Sequence, residues 1–135
     1  AAAGGLASAV GPEVLEEYRR LLAAETQLRR AVSSAGQEVS ALARDKLQLQ
    51  VVRTAASEVA EQLWREAEKL ATASTVLEAL LAGSEHVSDA IAAAQGRLVA
   101  VRVSVGELLL RLSAETLFGK GVIHRINSMR GAILA

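Results

Sequence analysis

The chain has 135 residues, enough for one domain or a pair of long helices with a modest core; 51% are hydrophobic and only 2% aromatic. Equal numbers of acidic and basic residues give a formal net charge of zero, so no global field attracts nucleic acid. The absence of cysteine excludes disulfides, thiolate metal sites and a cysteine nucleophile.

A heptad repeat runs through most of the chain. Every seventh residue from Val14 to Leu112 is apolar, with Ser84 as the exception. Strands repeat every two residues and loops do not repeat, so this pattern indicates helices that present an apolar seam to other helices. With a single proline as well, the expected fold class is all-α, with long amphipathic helices forming a coiled coil or an antiparallel helical bundle.

The first predicted segments are a leader and a long helical region. Residues 1–11 are small and glycine-containing and are expected to form a flexible leader. A helix start is predicted at Pro12, because proline is tolerated at the first helical position and acidic residues follow it. The N-terminal helical region then covers 12–82, and the serines and glycine at 33–36 mark a point where the helix could bend or break.

Gly83 and Ser84 form the strongest internal break, which is either a corner between two helices or a kink in one helix. The next segment, 83–118, is predicted to be the heptad-bearing helix. The seam predicted to contact partner helices consists of Leu77, Leu80, Val87, Ile91, Leu98, Val101, Val105, Leu108 and Leu112. Gln95 lies on the shoulder of this seam and is either a candidate polar layer or an ordinary exposed side chain.

Residues 119–135 are predicted to form a short basic amphipathic tail. Lys120, Arg125 and Arg130 lie beside apolar residues there, which is typical of a membrane-proximal segment or of a terminal helix that caps a bundle. No run in the chain approaches the roughly 18–20 apolar residues that span a bilayer. A membrane anchor, on the first interpretation, would follow Ala135.

Catalytic chemistry has little support in the sequence. His86 lies close to Glu85 and Asp89, but a metal site needs three or four convergent ligands, so solvated helix surface is the expected state. The Gly119–Gly121 stretch lacks the strand and the Ser or Thr of a phosphate-binding loop. We therefore expect no enzyme activity, no catalytic residues, no metal and no cofactor.

The order of features resembles a known family. The charged stretches at 18–22 and 44–49, the heptads from 74 to 95, the sequence Gln-Gly-Arg-Leu at 95–98 and the block at 122–127 occur in this order. Together they resemble the Golgi SNAP receptor proteins, the Gos-type Qb-SNAREs. In that family the glutamine and arginine of the motif centre are adjacent, whereas here Gly96 separates them.

The resemblance implies a membrane-fusion protein of Golgi vesicle transport, cytosol-facing on the Golgi membrane. Its helix would zipper with three partner helices and place Gln95 at the centre of the bundle. The alternative is a soluble helical-bundle scaffold, an assembly subunit of a larger cytoplasmic complex with no catalytic activity. Under both interpretations the partners are other helical proteins, in a hetero- or homo-oligomeric coiled coil, and not nucleic acid.

Overall fold

The computed structural model describes residues 11–45, 48–114 and 118–135, and these residues form five α-helices and no strand. In chain order the helices are α1 (Pro12–Asp45), α2 (Gln50–Glu68), α3 (Thr72–Leu81), α4 (Val87–Ser113) and α5 (Lys120–Leu134). The all-α fold class is confirmed, and the architecture is a helical bundle.

The long helix α1 forms one side of the bundle, and α2 and α3 run back along it. Gly36 of α1 lies beside Trp64 of α2, and Glu25 of α1 contacts Thr72 at the start of α3. Because the contacts move down α1 as the chain moves on, α2 and α3 are both antiparallel to α1. They follow one another along its length, separated by the break between Glu68 and Thr72.

Helix α4 returns alongside all three preceding helices, and α5 folds back against α4 and α1. Leu134 of α5 packs on Gly106 of α4, and the Arg125 side chain of α5 pairs with Glu38 of α1. The bundle therefore has three helices at one end, where α1, α3 and α4 meet. It has four helices at the other end, where α1, α2, α4 and α5 meet.

The buried apolar residues form two clusters that match these two ends. The smaller cluster joins α1, α3 and α4 and consists of Leu21, Val76, Leu80, Val87, Ile91 and Ala94. The larger cluster joins α1, α2, α4 and α5 and includes Leu28, Val32, Val39, Leu63, Leu70, Val101, Val105, Leu109 and Ile126. Leu98 of α4 packs against both clusters and links them.

The predicted N-terminal helical region, 12–82, contains three helices. Helix α1 is continuous through 33–36, the point named for a possible bend or break, and the helices end instead at Asp45 and Glu68. Gly36 is buried against the side chains of Leu63 and Trp64, each 3.6 Å from the position of a Cβ atom on that glycine. This packing on α2 outweighs the weak helix propensity of serine and glycine. The predicted leader lies outside the described residues except for Gly11.

Gly83 forms a corner between two helices, and the helix expected over 83–118 is confined to Val87–Ser113. Gly83 has a φ of 65°, which favours glycine because other residues meet a Cβ clash there. Its N–H donates to the carbonyl of Leu80 at 3.1 Å, and the N–H of Ser84 donates to the carbonyl of Ala79 at 3.0 Å. These two bonds are a Schellman motif, which ends α3 and lets α4 start in a new direction.

A buried carboxylate holds the junction between α2 and α3. Glu25 is 2% exposed, and its Oε2 accepts hydrogen bonds from the Thr72 N–H at 2.8 Å, the Thr72 hydroxyl at 2.6 Å and the Ala73 N–H at 3.0 Å. Its Oε1 accepts a longer bond from Arg29 at 3.4 Å. The residue preceding α3 is Ala71, which has no side-chain acceptor. Glu25 therefore supplies from α1 the cap and the negative charge that a helix N-terminus favours.

We expect Glu25→Ala to lower the free energy of unfolding by about 2–3 kcal/mol, because it leaves two backbone donors of α3 without an acceptor in a buried site. Urea denaturation followed by circular dichroism measures this change. The matched control is Glu61→Ala on α2, whose carboxylate pairs with Arg65 in solvent. That variant is expected to change stability by less than about 0.5 kcal/mol, and equal losses for both would contradict the capping role.

Candidate functional site: the outer face of helix α4

The seam predicted to contact partner helices lies inside the chain's own bundle. Seven of its nine residues are buried, and Leu77 and Leu98 are half-buried. All except Leu77 belong to the two core clusters or pack against them. Gln95, the candidate polar layer, is exposed on the other side of α4. The fold thus uses this seam for its own helices.

The three cations of the predicted basic tail do not form a common surface. Lys120 is exposed at the first turn of α5. Arg125 pairs with the carboxylate of Glu38, and the Arg130 Nε donates to the carbonyl of Gly106 at 3.1 Å. Two of the three cations therefore fasten α5 to α1 and α4.

A second apolar stripe, hereafter the outer stripe, runs along the opposite face of α4. Its positions alternate in spacings of four and three residues, as in a coiled coil, and are Ala92, Gly96, Val99, Val103, Gly106 and Leu110. Val99, Val103 and Leu110 are 60%, 51% and 49% exposed. Helix α4 is therefore apolar on two faces, and the described residues bury the first face and only Gly106 of the second.

Helix α5 covers the outer stripe only at Gly106, which is buried, and leaves Val99, Val103 and Leu110 exposed. The two methyl carbons of Leu134 lie 3.1 and 3.4 Å from the position a Cβ atom on Gly106 would take, so this glycine admits the leucine. Leu134 itself remains 39% exposed and extends the apolar surface from α4 onto α5. The face is continuous over two helices at the four-helix end of the bundle.

Two opposite charges flank the outer stripe. Arg102 precedes Val103 on the side of α5, beside Leu28 and Ile133, and the exposed Glu107 follows Gly106 on the other side. Neither side chain forms an ion pair or hydrogen bond with the part of the chain that the structure describes. The Arg102 Nε is buried, whereas its two terminal nitrogens are not.

The remaining polar clusters serve the fold or lie in solvent. Glu66 of α2 is buried, and its Oε1 accepts from Lys69 at 2.8 Å and from Ser104 of α4 at 3.1 Å, which ties α2 to α4. The hydrogen bond from Arg44 to Asp45, together with the charge of that carboxylate, raises the pKa of the guanidinium, which simply keeps it charged. These contacts leave the outer stripe as the candidate site.

The histidine at the start of α4 lies in solvent with its acidic neighbours. The His86 ring lies 3.9 Å from a Glu85 oxygen and 3.7 Å from an Asp89 oxygen, with all three side chains exposed. Within residues 11–45, 48–114 and 118–135, no group of three or more such side chains is arranged to hold a metal ion. No helix in these ranges combines the length and the hydropathy needed to cross a membrane.

Comparison with known proteins gives no relative: no protein-family model, curated protein or solved structure matches the chain. The candidate site therefore rests on the geometry of this chain alone.

The outer stripe was not among the predicted sites, although its four-three spacing is present in the sequence. The repeat with Ile91, Leu98 and Val105 on the other face of the same helix has larger apolar side chains and is the stronger signal. Periodicity reports that a face is apolar, but it does not report which of two apolar faces the chain will bury. Only the packing of α1, α2, α3 and α5 separates the two.

The two faces of α4 predict opposite effects of a new charge. Leu98→Asp is expected to lower the free energy of unfolding by more than about 3 kcal/mol, because it places a carboxylate where the two core clusters meet. Gln95→Asp, three residues away on the exposed side, is expected to change it by less than about 0.5 kcal/mol. Thermal and urea unfolding of the isolated chain test the pair, and equal effects would contradict the assignment of faces.

Proposed function

We propose that this chain is a non-catalytic, self-contained helical bundle that acts as an assembly subunit of a larger protein complex, with the outer stripe of α4 as its interface. The carrying observation is that α4 exposes Val99, Val103 and Leu110 in coiled-coil spacing on the face opposite the core. A surface helix normally pairs its apolar face with a polar one. Contiguous exposed apolar surface of this kind is typical of protein interaction sites.

Gly96 in the middle of α4 supports an interface at this face. Glycine inside a helix costs about 1 kcal/mol relative to alanine. A Cβ atom on Gly96 would meet no side chain within 4 Å among the described residues, so packing inside the chain does not require this glycine. Gly96 and Ala92 would permit the backbone of another helix to approach closely, and this would explain why a glycine occupies position 96.

The burial pattern favours this proposal over the fusion-protein interpretation. Zippering through the seam of Leu98, Val101 and Val105 would require these residues to leave the chain's own core first. That opening would expose apolar surface worth roughly 25 cal/mol per Å² before any partner replaced it. An assembly subunit that binds through the outer stripe needs no such rearrangement, because the stripe is already exposed.

The proposal is tested by the size of the assembly that contains the chain in the cells that produce it. Tagged wild-type chain is expected to elute from a size-exclusion column well above its monomer mass of 14.1 kDa. Val103→Asp should shift it to the monomer position, because the new carboxylate lies within the apolar interface. Circular dichroism should show an unchanged helical bundle, since Val103 is 51% exposed.

The matched control is Val51→Asp on α2, where the valine is 69% exposed and lies outside the outer stripe. This variant should elute with the wild type. A wild-type chain that elutes as a monomer in the lysate, or an assembly unaffected by Val103→Asp, would overturn the proposal.

A further inference from the structure

We propose that the outer stripe binds a second copy of this chain, with the two α4 helices parallel and in register. This inference rests on the proposed function and specifies its partner. The supporting observation is the pair of charges that flank the stripe. These charges face opposite charges when the two helices are parallel, and they do not when the helices are antiparallel.

In a parallel, in-register pair of helices, the residue that immediately precedes a seam position can lie on one flank of the seam. It then faces the residue five positions later in the partner helix, which lies on the other flank of the partner's seam. Arg102 and Glu107 have this spacing of five and lie on the two flanks of the outer stripe. Parallel, in-register pairing therefore places Arg102 of each copy opposite Glu107 of the other. The twofold symmetry of the dimer forms this ion pair twice.

In the antiparallel arrangement the flanking charges are not paired with opposite charges. Full overlap of two antiparallel stripes aligns Val99 of one copy with Val103 of the other. The two Arg102 side chains then face each other, and Glu107 faces Ala93 of the second copy. Like charges across a helix pair are unfavourable, so the flanking residues select the parallel direction.

Both charges are available for this pairing. Over the described residues, Glu107 and Arg102 form no ion pair within the chain, and the terminal nitrogens of Arg102 are not buried. By contrast, Arg125 and Arg130 are engaged by Glu38 and by a backbone carbonyl. A parallel copy would pair both of these charges.

The bundle also lowers the cost of this association. The stripe from Ala92 to Leu110 spans roughly 27 Å, at 1.5 Å per residue, which is short for an isolated coiled coil. Here α4 is already fixed by its buried face, so dimerisation orders no new helix, and Leu134 adds apolar area beside Gly106. We therefore expect a reversible dimer of micromolar affinity, visible by sedimentation equilibrium as twice 14.1 kDa.

Cysteine cross-linking tests the direction, because the chain contains no native cysteine. Purified Val103→Cys is expected to form a disulfide-linked dimer under mild oxidation, since position 103 faces itself in a parallel, in-register pair. Val51→Cys, the exposed control on α2, should cross-link at least tenfold more slowly. If Val103→Cys links poorly to itself but readily to a Val99→Cys chain, the helices are antiparallel and the inference is wrong.

Charge reversal tests the ion pairs. Arg102→Glu and Glu107→Arg should each weaken the dimer about tenfold, because each replaces two attractive contacts by two repulsive ones. The double variant should restore the wild-type dissociation constant, since the charges are then exchanged. If the double variant instead loses as much binding free energy as the two single variants together, these residues do not face each other.

Failure of this inference is distinguishable from failure of the proposed function. A purified chain that stays monomeric up to millimolar concentration, with no self-cross-link at position 103, overturns the second copy as partner. If Val103→Asp still disperses the cellular assembly, the stripe is an interface for a different protein. If it does not, both proposals fail.

Discussion

The buried carboxylate of Glu25 on α1 caps the first turn of α3 and so places this helix in the bundle. It fixes where the chain resumes a helix after α2, and it keeps α3 against the N-terminal half of α1. The smaller core cluster, with Leu21, Val76 and Leu80, forms because of that placement. A buried carboxylate is costly unless donors surround it, and here the orphan N–H groups of a helix N-terminus meet that need.

With α3 held in this way, α4 returns along three helices and buries one of its two apolar faces. This single arrangement accounts for both the stability of the chain and its proposed association. The inner face, centred on Leu98, links the two clusters, while Val99 and Val103 project from the other side. The exposed valines of the outer face are the surface that the proposed partner would cover.

The sequence predicted local features best where the physical cause is local. Pro12 starts α1, because proline suits a first helical turn. The interruption at Gly83 was also predicted, and the positive φ of this glycine makes it a corner, an outcome that the sequence left open against a kink. The break before Thr72 escaped prediction, since its capping group comes from Glu25, 47 residues earlier in the chain. The helix does not bend or break at 33–36, the soft point in the sequence, because packing against Trp64 supports α1 at Gly36.

By itself, the sequence determined that the protein is helical and that its helices associate through heptad seams, because a period of seven residues is a property of one helix surface. Only the tertiary structure decided which seam is the core and which is the outer surface. Both stripes of α4 have coiled-coil spacing, and burial depends on residues distant in the chain, such as Leu21 and Ile133, which cover one face and not the other. Which face of α4 is buried is therefore a property of the whole bundle. As a result, the candidate interface contains Val103 and not Leu98.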